Sequence, residues 1–145
     1  MIWKPHVTVA AIIEQNARFL MIEETVNGKL VVNQPAGHLE PDEALSDAVV
    51  RETLEESGWH FTPTQITGIY LWTVPRTNKT FLRVCYTGHC HQHEPDRELD
   101  KGIARVMWLS RDEITRCKLR SPMVLQGIDD YLTGQRYPLE LFQHL

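Results

Sequence analysis

The chain has 145 residues, of which 42% are hydrophobic and 23% charged, and its formal net charge is −4 at pH 7. This length and composition are typical of one globular domain, spanning residues 1–145, with a sizeable core. The slightly acidic balance excludes the basic footprint of a nucleic-acid-binding protein, and no apolar run is long enough to cross a bilayer. No secretory signal pattern stands near the first residue and the cysteines form no C-x-x-C pair, so we expect a cytoplasmic protein with free thiols.

The first part of the chain predicts short strands joined by tight turns. The segment 6–14 is rich in Val and Ile and is predicted to be a buried strand. After a turn at Gln15-Asn16, the segment 18–24 is predicted to return beside it as a hairpin. Asn27-Gly28 is a strong turn pair, and a short strand is predicted after it at 30–33.

The segment 37–59 has the start and stop signals of a helix. Pro41 suits the first helical turn, where a missing N–H carries no penalty, so the helix is predicted to begin there. Gly58 can take the left-handed conformation that ends a helix. An apolar stripe on one side of this helix should face the core: Leu45, Ala48 and Val49.

The second part of the chain predicts more strands and two helices. Two long strands of an antiparallel pair are predicted at 65–74 and 80–91, followed by a strand at 105–109. Ser110 begins a capping box that starts one helix, and Ser121-Pro122 starts the last. Strands flanked by helices in this order predict an α/β fold in which a mixed β-sheet lies between helices.

Three glutamates continue the apolar stripe toward the end of the predicted helix: Glu52, Glu55 and Glu56. Acids there face the negative end of the helix dipole, which costs roughly 0.3–1 kcal/mol each, and they repel one another. A divalent cation would balance them, and oxygen-only ligands suit Mg²⁺ or Mn²⁺. Arg51, four residues before Glu55, can brace the cluster. An acidic helix end on a solvated face is the alternative, and the position of the acids leaves both open.

The spacing of residues in segment 37–59 resembles the Nudix box, G-x5-E-x7-R-E-U-x-E-E-x-G-U, in which U is a bulky apolar residue. The matching positions are Gly37, Glu43, Arg51, Glu52, Glu55, Glu56, Gly58 and Trp59. Thr53 stands where the family usually has an aliphatic residue, a mild departure because Thr is β-branched. The resemblance implies the Nudix fold, an α/β/α sandwich in which the box forms a loop–helix–loop catalytic motif.

The resemblance also implies a role for the matched residues. The three glutamates and the carbonyl of Gly37 would hold Mg²⁺ or Mn²⁺, and Glu52 is also a candidate general base. Glu43 and Arg51 would hold the loop against the helix. In this family the base often comes from another loop instead.

Several residues outside the box are further candidates for the site. The possible second acid is Glu98 or Asp100, although an acidic loop is more often simply solvated. Substrate phosphates could be held by Lys4, His6, Arg76 and Lys79. The rings of Trp3, Tyr70 and Trp72 could stack on a base, although aromatic residues on strands more often belong to the core.

The resemblance implies metal-dependent hydrolysis of a phosphoanhydride bond in a small nucleotide-like substrate. Segments 4–10, 23–29 and 33–40 resemble a bacterial phosphatase branch of the family. That branch releases orthophosphate from nucleoside tri- and diphosphates and acts on hydroxymethylpyrimidine pyrophosphate. Pro75 supports the alternative of an ADP-ribose or nucleotide-sugar pyrophosphatase, whereas the intact box acids count against a non-catalytic nucleotide-binding module. The sequence leaves open whether the protein is a monomer or a homodimer.

Overall fold

The computed structural model describes residues 1–145 and contains eight strands and three α-helices. The strands are β1 His6–Ile12, β2 Glu14–Gln15, β3 Arg18–Val26, β4 Lys29–Asn33, β5 Ala36–His38, β6 His60–Thr73, β7 Thr80–His91 and β8 Ile103–Leu109. The helices are α1 Leu45–Ser57, α2 Arg111–Thr115 and α3 Pro122–Leu132, followed by a 3₁₀ turn at Leu139–Leu141. None of the helices combines the length and the apolar character that crossing a membrane requires.

The strands form two four-stranded sheets. In the first sheet the order is β5-β1-β7-β6, with β1 parallel to β7 and the two outer pairs antiparallel. In the second sheet β3 pairs with β2, β4 and β8, always antiparallel. The expectation of a mixed sheet is therefore confirmed for the first sheet, and the second sheet is an addition to it.

The predicted hairpin between segments 6–14 and 18–24 is wrong in its extent. Only the two residues of β2 pair with β3, after a turn in which Asn16 and Ala17 both have positive φ. The main strand β1 cannot pair with β3 because β5 and β7 already occupy both of its edges. The chain therefore turns out of the first sheet and begins the second.

Strand β1 lies between two hydrophobic cores. One core joins it to α1, through Val9, Ala11, Ala48 and Val49. The other core joins it to α3, through Ala10, Ile12, Val124 and Ile128. Because successive side chains of a strand point to opposite faces, α1 and α3 cover opposite faces of the first sheet. This arrangement confirms the α/β/α sandwich.

Helix α1 ends where the sequence predicts but begins later. Gly58 takes a φ of 76° and donates its N–H to a carbonyl of the last turn, as a left-handed cap does. The helix begins at Leu45 rather than at Pro41, because Asp42 has a φ of 64°, which no helix tolerates. Glu43 therefore stays in the loop before the helix, a position with consequences for the site.

Strand β6 is longer than predicted, whereas β7 matches its prediction. β6 begins at His60 and includes Pro63, with its register shifting just after the proline. A proline is tolerated there because β6 is the edge strand of its sheet, so no neighbour requires its N–H.

The predicted caps of α2 and α3 are confirmed. The Ser110 hydroxyl accepts from the N–H of Glu113 at 3.2 Å, and the Glu113 carboxylate accepts from the N–H of Ser110 at 3.0 Å. The Ser121 hydroxyl accepts from the N–H of Met123 at 3.2 Å. The second cap fixes the first turn of α3, which faces the cavity described below.

Candidate active site

Gly37 brings strand β5 against the acidic part of α1. Pairing with Val9 of β1 fixes its backbone position. A Cβ atom on residue 37 would overlap the carboxylate of Glu52, so any larger residue would displace that carboxylate from its position. Gly37 is thus next to a predicted metal ligand, and a ligand role for its own carbonyl stays a prediction.

Two of the three box glutamates on α1 are buried. Glu52 and Glu56 are 9% and 8% exposed, and the carboxylate of Glu56 accepts from the N–H of Ala36 at 2.8 Å. Burial removes water from both groups and so raises the pKa of Glu56 to about 9 and that of Glu52 to about 6. Acids placed this way do not resemble a solvated helix face, and a cation would allow both to ionise.

Asp100 joins this acidic part of α1 from the loop before β8. Carboxylate oxygens of Glu52, Glu55 and Asp100 lie within 4.8 Å of one another. The N–H of Asp100 donates to the backbone carbonyl of Glu55 at 2.9 Å, which holds the loop in place. Partial burial and the charge of Glu55 raise the pKa of Asp100. Both Asp100 and Glu98, the other candidate for a second acid, are exposed, but Glu98 lies outside this group.

The donor chemistry of this acidic group fits a hard divalent cation. All of its donors are carboxylate oxygens, which suit Mg²⁺ or Mn²⁺ rather than a metal that prefers nitrogen or sulfur. Glu56 lies outside the group of three, with one oxygen already bonded to a backbone N–H.

Arg51 connects the acids of α1 to the loop before the helix. Its Nε and Nη2 donate to the two carboxylate oxygens of Glu43 at 2.7 and 3.0 Å, and Nη2 also donates to the carbonyl of His38. Nη1 donates to Glu52 at 2.7 Å and to Glu55 at 3.2 Å. The hydrogen bond from Arg51 lowers the pKa of Glu43. The predicted role of Glu43 and Arg51 in holding loop and helix together agrees with these contacts.

A cavity of about 350 Å³ opens beside the acids. Its carboxylates are those of Glu24, Glu40, Glu52 and Glu56. Its basic side chains are Arg83 and Arg120, and its aromatic wall is formed by His38, Trp72 and Phe81. Glu52 belongs both to this cavity and to the group of three carboxylates. A concave site with a few charged groups and a flat aromatic wall fits a small phosphorylated molecule.

The four residues predicted to hold phosphates do not line the cavity: Lys4, His6, Arg76 and Lys79. His6 stacks on Phe81 with ring centroids 5.1 Å apart and so supports the aromatic wall. Burial, followed by the charges of His6, Arg120 and Lys79, lowers the pKa of His38 in the cavity wall. Lys4 and Arg76 are exposed, and Arg76 lies in the β6–β7 turn.

Sequence reasoning singled out Trp72 in this cavity but overlooked its two arginines. Arg83 carries a charge in the buried middle of β7, where Val84, Cys85 and Tyr86 are apolar and buried. A charged residue within a buried apolar strand is unusual, and this feature of the sequence could have identified Arg83 as a candidate site residue. Arg120 has no such signal, because it stands in an irregular segment beside the cap of α3.

Comparisons with known proteins agree with this architecture. The NUDIX domain family matches residues 4–126. Phosphatase NudJ of Shigella boydii and of Escherichia coli K12 is 44% identical over 141 residues, which covers 96% of this chain and 91% of each relative. A Nudix hydrolase structure from Nitrosomonas europaea has a TM-score of 0.95 and 48% identity, covering 98% of both chains. The NUDIX domain of Shewanella oneidensis NrtR, complexed with ADP ribose, shares the fold alone, with a TM-score of 0.75 and 16% identity over 92% of this chain and 90% of that one.

Proposed function

Because the chain belongs to the Nudix hydrolase family, we propose that it is a Mg²⁺-dependent phosphatase of the NudJ type. It would release orthophosphate from nucleoside tri- and diphosphates and from hydroxymethylpyrimidine pyrophosphate. Support for this branch of the family comes from the 44% identity to NudJ proteins over nearly the whole chain. The proposal includes a cytoplasmic protein of one domain, residues 1–145, that acts as a monomer or homodimer on a small substrate without nucleic-acid or membrane partners.

The observation that carries this proposal is that Glu52 belongs both to the cavity and to the group of three carboxylates. One wall of the cavity holds its carboxylate, which also lies within 4.8 Å of the carboxylate oxygens of Glu55 and Asp100. A phosphate bound in the cavity would therefore lie next to the group of three carboxylates. Basic and aromatic side chains on the other walls match the remaining chemistry of a nucleotide.

The proposed roles follow from position and charge. Glu52, Glu55 and Asp100 would hold Mg²⁺ or Mn²⁺, which when bound neutralises phosphate charge and acidifies water. Glu52 would also be the general base, because its carboxylate belongs both to the acidic group and to the cavity wall where the substrate would lie. Asp100 is the second candidate for that task. Arg51 is a positioning residue, because it contacts the acids rather than the cavity.

The aromatic wall would hold the organic part of the substrate. Trp72 and Phe81 are register partners in the β6–β7 pair, and both line the cavity. Flat rings of this kind stack on a nucleobase or on a pyrimidine. Such stacking does not read one base in particular, which agrees with a permissive enzyme.

The test is a product analysis with Mg²⁺ on nucleoside tri- and diphosphates, hydroxymethylpyrimidine pyrophosphate and ADP-ribose. Stepwise orthophosphate release is expected, and Glu55→Gln should abolish it while leaving the fold intact. Nucleoside monophosphate with pyrophosphate as the only products would contradict the phosphatase. AMP from ADP-ribose with little orthophosphate from the others would favour the nucleotide-sugar pyrophosphatase instead.

A further inference from the structure

We propose that Arg83 is the anion-binding residue of the cavity and holds a phosphate of the substrate. This inference rests on the proposed function for the class of substrate, a phosphoanhydride, but its own basis is the environment of one side chain. Arg83 lines the same cavity as Glu52 and Glu56 and comes from β7 rather than from α1.

Arg83 is a buried cation without a counter-charge. It is 4% exposed, and the hydrogen bonds it donates within the protein both leave from Nη2. Their acceptors are the amide oxygens of Asn33, at 3.0 Å, and Gln34. Both acceptors are neutral, so they orient the guanidinium without cancelling its charge. Ion pairs elsewhere in the chain use other basic residues: Arg18, Arg51, His60, Arg97, Arg105 and Arg111.

The Nε of Arg83 is buried and has no hydrogen-bond partner. A buried charge without a counter-charge destabilises a fold unless something supplies the opposite charge. A phosphate in the cavity would supply that charge to Arg83, which lines the cavity. Arginine suits this task because its planar fork matches the oxygens of a phosphate.

The first turn of α3 adds to the positive potential on this side of the cavity. Ser121 is the N-cap of this 11-residue helix, and Arg120, Ser121 and Met123 line the cavity. The positive end of the helix dipole and the charge of Arg120 both favour an anion beside Arg83. The cavity thus combines carboxylates from α1, β3 and the loop after β5 with a positive part formed by β7, Arg120 and the first turn of α3.

The residues that hold Arg83 are themselves fixed. Gln34 is fully buried and donates to the carbonyl of Val124 in α3 at 2.9 Å. Asn33 is 6% exposed and donates to the carboxylate of Glu24 at 3.1 Å. These bonds place the guanidinium before the substrate arrives, so little ordering remains to be done on binding.

The experiment measures binding of an α,β-methylene nucleoside diphosphate in the presence of Mg²⁺ by titration calorimetry. Its bridging carbon blocks hydrolysis between the two phosphates, so affinity is read without turnover. Arg83→Gln should weaken binding by about tenfold to a hundredfold, the loss expected for a hydrogen bond to a charged group. The matched control is Arg105→Gln, which removes an exposed arginine of β8 that lies outside the cavity and should bind normally.

A second variant separates anion binding from a structural role. Gln34→Glu places a carboxylate against Arg83 and so occupies its charge, and it should weaken binding of the analogue by a similar factor. A purely structural Arg83 would gain an ion pair and keep wild-type affinity. Melting temperatures are recorded for each variant because Gln34→Glu also removes the bond to Val124. If Arg83→Gln does not fold, Gln34→Glu decides the question.

Wild-type affinity in folded Arg83→Gln, or in Gln34→Glu, would overturn the proposal. Weak binding in both, with normal binding in Arg105→Gln, would support it. Failure of the proposed function looks different, because the wild-type enzyme would then release no orthophosphate from its substrates. The binding comparison would still show whether Arg83 holds a phosphate.

Discussion

At the scale of single residues, the loop before β8 places two acids in different surroundings. The carboxylate of Asp100 lies with those of Glu52 and Glu55, and its own N–H is bonded to the backbone of α1. Glu98 has neither contact, although both residues are exposed. The two residues are only two positions apart in the chain, so only their contacts tell them apart.

We expect Asp100→Asn to lower kcat/KM by at least about tenfold, since an amide neither binds a hard cation as strongly nor accepts a proton. The apparent Mg²⁺ requirement should rise at the same time. Orthophosphate release measured across a Mg²⁺ titration checks both effects. Glu98→Gln is the matched control from the same loop and should stay within about twofold of the wild type. Equal losses in the two variants would show that the loop matters and the carboxylate of Asp100 does not.

At the scale of elements, the central contact is the one that Arg51 makes between α1 and the loop before it. Five hydrogen-bond acceptors converge on one guanidinium whose side chain is 22% exposed. Two of its acceptors are on Glu43, which is available only because the helix begins at Leu45. The loop and the acids of the helix are therefore held as one unit.

Arg51→Gln should lower the free energy of unfolding by about 2–4 kcal/mol, because the carboxylates of Glu43 and Glu52 lose their counter-charge while staying partly or fully buried. Urea denaturation of the metal-free protein measures this change. Arg18→Gln breaks an exposed ion pair with Glu113 and should lose less than about 1 kcal/mol. Similar losses in both variants would mean that Arg51 adds no more than a surface pair.

The elements also show how far the sequence could predict the fold. The end of α1 follows from Gly58, and the caps of α2 and α3 follow from their serines, because each signal acts within one helical turn. The start of α1 was missed because Pro41 is equally compatible with a turn, and Asp42 takes a left-handed conformation that its residue type does not require.

The pairing of strands that are distant in the chain could not be predicted from local sequence signals. β3 looks like the partner of β1 in a hairpin, yet β1 pairs with β7, more than seventy residues away in the chain. The same limit applies to the candidate site. Spacing within the box predicted Glu52, Glu55 and Glu56, whereas Arg83 reaches the cavity only because β7 lies beside β1.

At the scale of the whole molecule, the fold brings several carboxylates close together in a protein whose net charge is negative. The net charge is −4, and four carboxylates from α1 and the β8 loop meet beside one cavity: Glu52, Glu55, Glu56 and Asp100. Their mutual repulsion, together with the burial of Glu52 and Glu56, opposes folding in the absence of a cation. Binding of a cation to the folded state alone would therefore raise stability by mass action.

This balance predicts that Glu56→Gln stabilises the metal-free protein while impairing the enzyme. In the folded protein the pKa of Glu56 is about 9, above its ordinary value of 4.5. The folded protein therefore binds this proton more tightly than the unfolded chain does. The stability that results is fully present below the ordinary value and is lost as pH rises toward 9. Glutamine keeps an acceptor for the N–H of Ala36 but does not ionise. In EDTA at about pH 8, Glu56→Gln should be roughly 1–3 kcal/mol more stable than the wild type, and the difference should shrink near about pH 5. Urea denaturation at the two pH values checks this, and added Mg²⁺ should narrow the difference, because a cation held by Glu52, Glu55 and Asp100 would favour the ionised form of Glu56 nearby. A variant less stable than the wild type at both pH values would show that ionised Glu56 is accommodated in the fold without a cation.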